Sequence, residues 1–265
     1  MIQIHAVPRF AANISLMFAE HPFLDRFEAA AAAGFKAVEC QSCYEHAIPA
    51  IKERLERTGL VLALINTRPG DPAIDGFGLA ATAGREMEFQ ARVDQALDYA
   101  ASLGVTKIHA MAGDSFDVPE NARAFVNNIR TAGEKAAARG KTILIEPLNP
   151  RDRPNYFLRS ITRAADFIVE VGLANVKLQF DAYHVALMEG DVMQRLKEFA
   201  PLIGHVQIAG VPARHEPDEG EVDYPAFFAT LEEIGYDGWV GAEYRPRGRT
   251  EDGLGWARRC GIVPR

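Results

Sequence analysis

The sequence predicts one α/β domain spanning residues 1–265, folded as a (β/α)8 barrel. Three observations carry this expectation. Short β-rich runs alternate with longer amphipathic runs eight times. Six of the amphipathic runs close on a glycine just before the next strand, the usual left-handed helix stop. No G-x-G-x-x-G turn follows the first strand, which sets a closed barrel above an open doubly wound sheet.

Taken in order, the first strand lies near 10–13 (FAAN) and leads to a helix near 23–33, whose alanines 29–33 are strong helix formers before Gly34. The second strand, 36–39 (KAVE), precedes a helix near 47–58 stopped by Gly59. The third, 61–65 (VLALI), is followed by a long loop, 66–83, with Pro69, Gly70, Pro72, Gly76 and Gly78, and then a helix near 84–103 ending at Gly104. Strand four, 106–111, and a helix near 119–139 close on Gly140. Strand five, 142–146 (TILIE), opens a second long loop, 147–159, containing Pro147, Pro150 and Pro154, before a helix near 160–171 and Gly172. Strand six, 176–181, precedes a helix near 191–200; strand seven, 203–207, precedes one near 224–235; strand eight, 238–243, precedes a last one near 250–259. Long ordered loops in a compact domain are often functional.

The composition narrows the function. With 48% hydrophobic residues the chain can bury a large core, and 36 acidic against 29 basic residues give a net charge of −7 with no Lys/Arg block to follow a phosphate backbone. Nucleic acid is therefore not the expected partner. The first twenty residues lack a signal-peptide pattern, and no apolar window approaches the ~20 residues of a membrane span. A soluble, cytoplasmic protein is expected, and three cysteines fit a reducing compartment better than a disulfide framework.

In a barrel of this kind the strand ends surround one mouth, where active sites are built. Here they are Asn13, Glu39, Asn66, His109, Glu146, Asp181, Gln207 and Glu243. Gathering Glu146, Asp181 and Glu243 in a partly dry mouth is strongly repulsive unless a cation sits among them. Their oxygens, with the Gln207 carbonyl, suit a hard divalent metal such as Mg²⁺ or Mn²⁺ better than zinc. His205 shares a strand face with Gln207 and is expected to be a satisfied core histidine.

The stretches FAANISLMFAE, PGD at 69–71, GREMEF, IEPLN, QFDAYH, GHVQIAG, RHEPDEGE with Tyr224, GWVGAEYRP and GLGW run in order over nearly the whole chain. Together they resemble hydroxypyruvate isomerase and its relative 2-oxo-tetronate isomerase. The resemblance implies the xylose-isomerase-like TIM barrel, with Glu146, Asp181, Gln207 and Glu243 as metal ligands and Glu146 and Glu243 as the acid–base pair. It implies a small hydroxy-oxo acid as substrate, hydroxypyruvate first and a 2-oxo-tetronate next. A ketose 3-epimerase would use the same metal and carboxylates but needs a neutral polyol pocket and commonly has His where this chain has Gln207. An endonuclease IV-like nuclease would need a His-rich three-metal site and a basic rim, which seven histidines and the acidic charge oppose.

His184, three residues after Asp181, is expected to bond a substrate oxygen or a metal-bound carboxylate. Arg214 matches an arginine of the relatives and is expected to meet the substrate carboxylate; Arg245 stands where they have Lys. Asn66 and His109 complete the expected substrate contacts, while Arg68 and Arg151 read as exposed loop charges. After strand two the chain departs from its relatives, with Glu39-Cys40-Gln41-Ser42-Cys43 in place of an apolar stretch. The C-x-x-C spacing lacks a second pair or a thioredoxin-like context, so no redox or zinc role is expected. The outer helices read as a barrel's ring and offer surfaces for a homo-oligomer.

Overall fold

The computed structural model describes residues 8–71 and 76–264, so Pro72 of the first long loop and the first seven residues lie outside the described residues. Eight parallel strands close in sequence order, β1 pairing with β8. They are β1 Arg9–Asn13, β2 Ala37–Cys40, β3 Val61–Asn66, β4 Lys107–His109, β5 Thr142–Ile145, β6 Val176–Asp181, β7 Ile203–Ile208 and β8 Trp239–Ala242. Each falls on an expected strand, with short shifts at the ends. Strand β4 stops at His109, earlier than expected, and Met111 N–H then turns to the Thr67 hydroxyl at 3.1 Å. Glu146 and Glu243 stand one residue beyond their strands.

The helices are α1 Arg26–Ala32, α2 Ile48–Thr58, α3 Glu86–Leu103, α4 Pro119–Ala137, α5 Ile161–Val171, α6 Ala182–Met188, α7 Val192–Phe199, α8 Tyr224–Glu233 and α9 Gly255–Arg259. Gly59, Gly104 and Gly172 end α2, α3 and α5 in the left-handed conformation that a Cβ disfavours. Helix α6 was not expected. Asp181 both ends β6 and caps α6, its carboxylate accepting the Tyr183 N–H at 2.9 Å. The strand pattern concealed the cap.

Phe27, Phe89, Phe125, Phe167 and Phe227 of the helix ring join Ile108, Ile143, Val206 and Val240 of the strands in one continuous apolar layer. Burying each large side chain contributes roughly 1.5–3 kcal/mol. The barrel interior is different. Ala11, Ala37 and Ala63 form a small separate cluster against Trp239, and above them the interior is polar. Among the described residues, no helix is long and apolar enough to cross a membrane.

Candidate active site

All eight strand-end residues named from the sequence are buried at one mouth of the barrel. A cavity of about 310 Å³ opens there, lined by Asn66, His109, Glu146, His184, Arg214, Glu243 and Arg245. Asp181 and Gln207 lie beneath it rather than on its wall. Four wider clefts, of about 480, 520, 480 and 330 Å³, open elsewhere on the molecule, and none is lined by a buried carboxylate.

The residues beneath the cavity form a chain of hydrogen bonds across the barrel. Gln179 Nε2 donates to Glu146 Oε2 at 2.9 Å and to Gln207 Oε1 at 2.7 Å. Gln207 Nε2 donates to Glu39 Oε1 at 2.6 Å, and His205 Nε2 lies 2.7 Å from Glu39 Oε2. A carboxylate only accepts, so His205 carries its proton on Nε2 and Gln207 turns its amide nitrogen to Glu39, leaving its carbonyl to accept from Gln179. Asn13 Nδ2 completes the hub, donating to Glu39 Oε1 at 3.0 Å and to Glu243 Oε1 at 3.1 Å. There is no room for a side chain opposite: a Cβ on Gly241 would fall 2.4 Å from both Glu39 carboxylate oxygens.

Glu243 is held on three sides. Gln41 donates to its Oε1 at 2.6 Å and Arg214 to its Oε2 at 2.8 Å, besides Asn13. Glu146 is freer, since its Oε1 is buried with no hydrogen-bond partner among the described residues, as is Asp181 Oδ2. Burial, with Glu243 and Asp181 nearby, pushes the Glu146 carboxyl well above its ordinary range. Asp181 is pushed up to about 7 by burial, Arg214 opposing and Glu243 adding to it. Glu243 is raised by burial, with Arg214 again opposing.

The histidines around them are neutral. Burial and neighbouring His205 lower His109 to about 3, and burial with Arg214 and His109 holds His184 well below its usual value. The buried Asn149 donates its backbone N–H to His184 Nδ1 at 3.0 Å. A neutral His184 therefore carries its proton on Nε2, which sits 3.6 Å from Asp181 Oδ2. That nitrogen is a donor, suited to a carboxylate or a substrate oxygen rather than to a metal.

Arg214 adopts φ 58, an uncommon conformation for a residue with a Cβ that costs of order 1 kcal/mol and clusters at functional sites. Its backbone N–H donates to Gly210 O at 2.7 Å, and its guanidinium reaches Glu243, with Asp181 at 3.7 Å and Asp152 at 3.6 Å. Burial works against its charge, but Glu243, Asp181 and Glu146 outweigh that and hold it above its ordinary value.

The donor set fits a divalent cation. Ligand atoms of Glu146, Asp181 and His184 lie within 4.8 Å of one another. Two of the three offer buried, unpartnered carboxylate oxygens, and the tautomer of His184 leaves it the supporting role. Glu243 stands outside that group, with Asn13, Gln41 and Arg214 on its oxygens, and the Gln207 carbonyl accepts from Gln179.

Gln179, Asn149, Gln41 and Asp152 were not anticipated. Only Gln179 had a readable signal, two residues before Asp181 on the same strand face. Cys40 and Cys43 are both buried and unbridged, and the Cys40 thiol is raised well above its usual value by its hydrogen bond to Cys43 and by burial. A raised, buried thiol is a poor nucleophile. Replacing both, Cys40→Ser with Cys43→Ser, is expected to leave turnover within a few-fold; a large loss with metal binding unchanged would assign the pair a role. The segment instead contributes Gln41.

A family model, the xylose isomerase-like TIM barrel, matches residues 27–260. The chain is similar to the 2-oxo-tetronate isomerase of Cupriavidus necator, 51% identical over 255 residues that cover 95% of this chain and 98% of that protein. It is also similar to the hydroxypyruvate isomerase of Escherichia coli, 39% identical over 251 residues covering 94% and 97%. Among solved structures, an AP endonuclease, family 2, from Brucella melitensis superposes with a TM-score of 0.93 at 45% identity, covering 95% of this chain and 98% of that one.

Proposed function

We propose that this chain, which belongs to the xylose isomerase-like TIM-barrel family, is a metal-assisted isomerase that exchanges the carbonyl and hydroxyl of a small hydroxy-oxo acid. The observation that carries the reading is the pair Glu146 and Glu243, both lining one buried cavity above Asp181. Such an isomerisation moves a proton between adjacent carbons through an enediolate. Two carboxylates can take and return that proton. Glu146, Asp181, Gln207 and Glu243 are the residues that would hold a divalent ion such as Mg²⁺ or Mn²⁺, which would supply Lewis-acid polarisation of the substrate.

The other side chains have distinct tasks. His184 Nε2–H and the buried, unpartnered Nε of Arg214 are donors for substrate oxygens in which charge develops. Asn66 and His109 line the same cavity and limit its shape. Glu39 and Gln179 fix the Gln207 carbonyl and Glu146 from below. The C. necator relative favours a 2-oxo-tetronate as substrate, and the E. coli relative favours hydroxypyruvate; in either case the substrate is a small acid, not nucleic acid, and the location is cytoplasmic.

Arg214→Ala is expected to lower kcat roughly ten- to a hundredfold, because Glu243 loses a charge-assisted bond of about 1.5–3 kcal/mol. A rise in KM alone would confine Arg214 to substrate binding. The reading as a whole is tested by assaying purified protein, metal-stripped and restored, against hydroxypyruvate, 2-oxo-tetronates and ketoses. Turnover of ketoses but of neither acid would replace it with a sugar epimerase.

A further inference from the structure

A hydroxy-oxo acid brings a carboxylate into the cavity, and this inference rests on that reading. The carboxylate needs a cation whose charge is not already matched. Arg214 is matched, with Glu243 at 2.8 Å, Asp152 at 3.6 Å and Asp181 at 3.7 Å. Two other guanidinium groups line the same cavity, those of Arg153 and Arg245. Among the described residues, neither guanidinium makes a hydrogen bond or an ion pair, although Asp114 and Asp152 lie near enough to Arg153 to favour its charge.

Arg153 is nonetheless held in place. The fully buried Asn149 accepts the Arg153 backbone N–H on its carbonyl at 3.0 Å and the Asp152 N–H on its side-chain oxygen at 2.9 Å, which sets the turn. The guanidinium carbon then stacks over Phe77, 3.1 Å from the ring centroid. Phe77 comes from the first long loop and Arg153 from the second, so the two loops meet over the cavity. Arg245 follows Glu243 by two residues and is tied to the neighbouring loop, its N–H donating to Arg214 O at 2.8 Å and its carbonyl lying 2.8 Å from His215 Nδ1. Burial lowers the Arg153 guanidinium below its ordinary value, with Arg214 and Arg245 adding to this and Asp114 and Asp152 opposing it. The three cations repel one another, and a bound anion relieves that repulsion.

We propose that Arg153 and Arg245 form the subsite that takes the substrate carboxylate, and that this pair selects an acid over a neutral ketose. A planar guanidinium stacked on a ring presents its edge to a carboxylate with little ordering left to do. Arg214 is left to position Glu243 and to meet the reacting oxygens.

The test compares wild type with Arg153→Gln, Arg245→Gln, the double variant and Arg153→Lys, all metal-loaded and checked for folding by circular dichroism. Kinetics use the better of the two acids and a neutral ketotetrose; calorimetry uses D-glycerate, which binds as an acid but cannot isomerise. The double variant is expected to raise KM for the acid and Kd for glycerate roughly ten- to a hundredfold, with kcat within a few-fold and the ketotetrose unaffected. Arg153→Lys is expected to recover part of the loss. Unchanged glycerate affinity, or equal losses for acid and ketose, overturns the subsite. Wild type that binds glycerate through these arginines but isomerises neither acid sinks the isomerase reading instead.

Discussion

Glu146→Gln and Glu243→Gln are each expected to lose at least ~10²–10⁴-fold in kcat, the usual contribution of acid–base catalysis. Glutamine keeps the shape of the side chain but not its basicity; because the Glu146→Gln amide nitrogen takes the side left open for a cation, its metal affinity should also fall, and the loss in kcat is read at saturating metal. The two variants are expected to differ in stability. Glu146 Oε2 accepts from Gln179 while its Oε1 has no donor among the described residues, so an amide fits with its nitrogen at the empty side. Glu243 takes donors on both oxygens, from Asn13 and Gln41 on one and Arg214 on the other. An amide nitrogen there meets a donor either way, and a buried group left unsatisfied costs about 1–3 kcal/mol. Glu243→Gln should therefore melt earlier than Glu146→Gln. The decisive measurement is exchange of the substrate's carbon-bound hydrogen with solvent deuterium at saturating metal. Near wild-type exchange and isomerisation in both variants would reduce these residues to ligands. Asp181→Asn should behave differently, because its Oδ1 must keep the Tyr183 N–H and only the free Oδ2 changes. Metal affinity should fall, and excess metal should rescue part of the activity.

Exhaustive removal of divalent metal is expected to abolish turnover and leave the barrel folded, since the apolar layer between strands and helices does not involve the site. Mg²⁺ or Mn²⁺ should restore activity; full activity in metal-free protein would sink the metal assignment. The pH dependence has a definite sign. Asp181 in the metal-free protein is raised to about 7 from 3.8, so the folded state holds a proton that the unfolded state releases. That contribution to stability falls as pH rises from about 4 to 7. A cation displaces the same proton, so the gain in Tm on adding metal should grow across this window and flatten above it. A gain independent of pH would place the ion away from Asp181.

The fold and the rim were legible because both depend on local pattern. The alternation of strand and helix runs, and the glycines that end the helices, are properties of short windows. Each rim residue is named by its place at the end of one strand. What the sequence did not reveal lies between strands. Gln207 meets Glu39 across 168 positions, and Gln179 bridges Glu146 and Gln207 across 33 and 28; strand pairing and side-chain reach decide those contacts. Arg153 was missed for a related reason. In the second long loop the Asn149 turn, not composition, places Arg153 at the cavity and leaves Arg151 exposed.

The absence of a side chain at Gly241 bears on how such a centre is inherited or transplanted. Glu39 can sit in the middle of the barrel only because the facing residue leaves its carboxylate space, and Glu39 in turn fixes which way the Gln207 amide points. An engineer who copied Glu146, Asp181, Gln207 and Glu243 onto another barrel with alanine at the Gly241 position would displace the carboxylate beneath them. The amide would then be free to flip, presenting nitrogen where oxygen is required. In this chain the carboxylate on the second strand and the vacancy on the eighth therefore work as one unit, and a change at either disturbs the other.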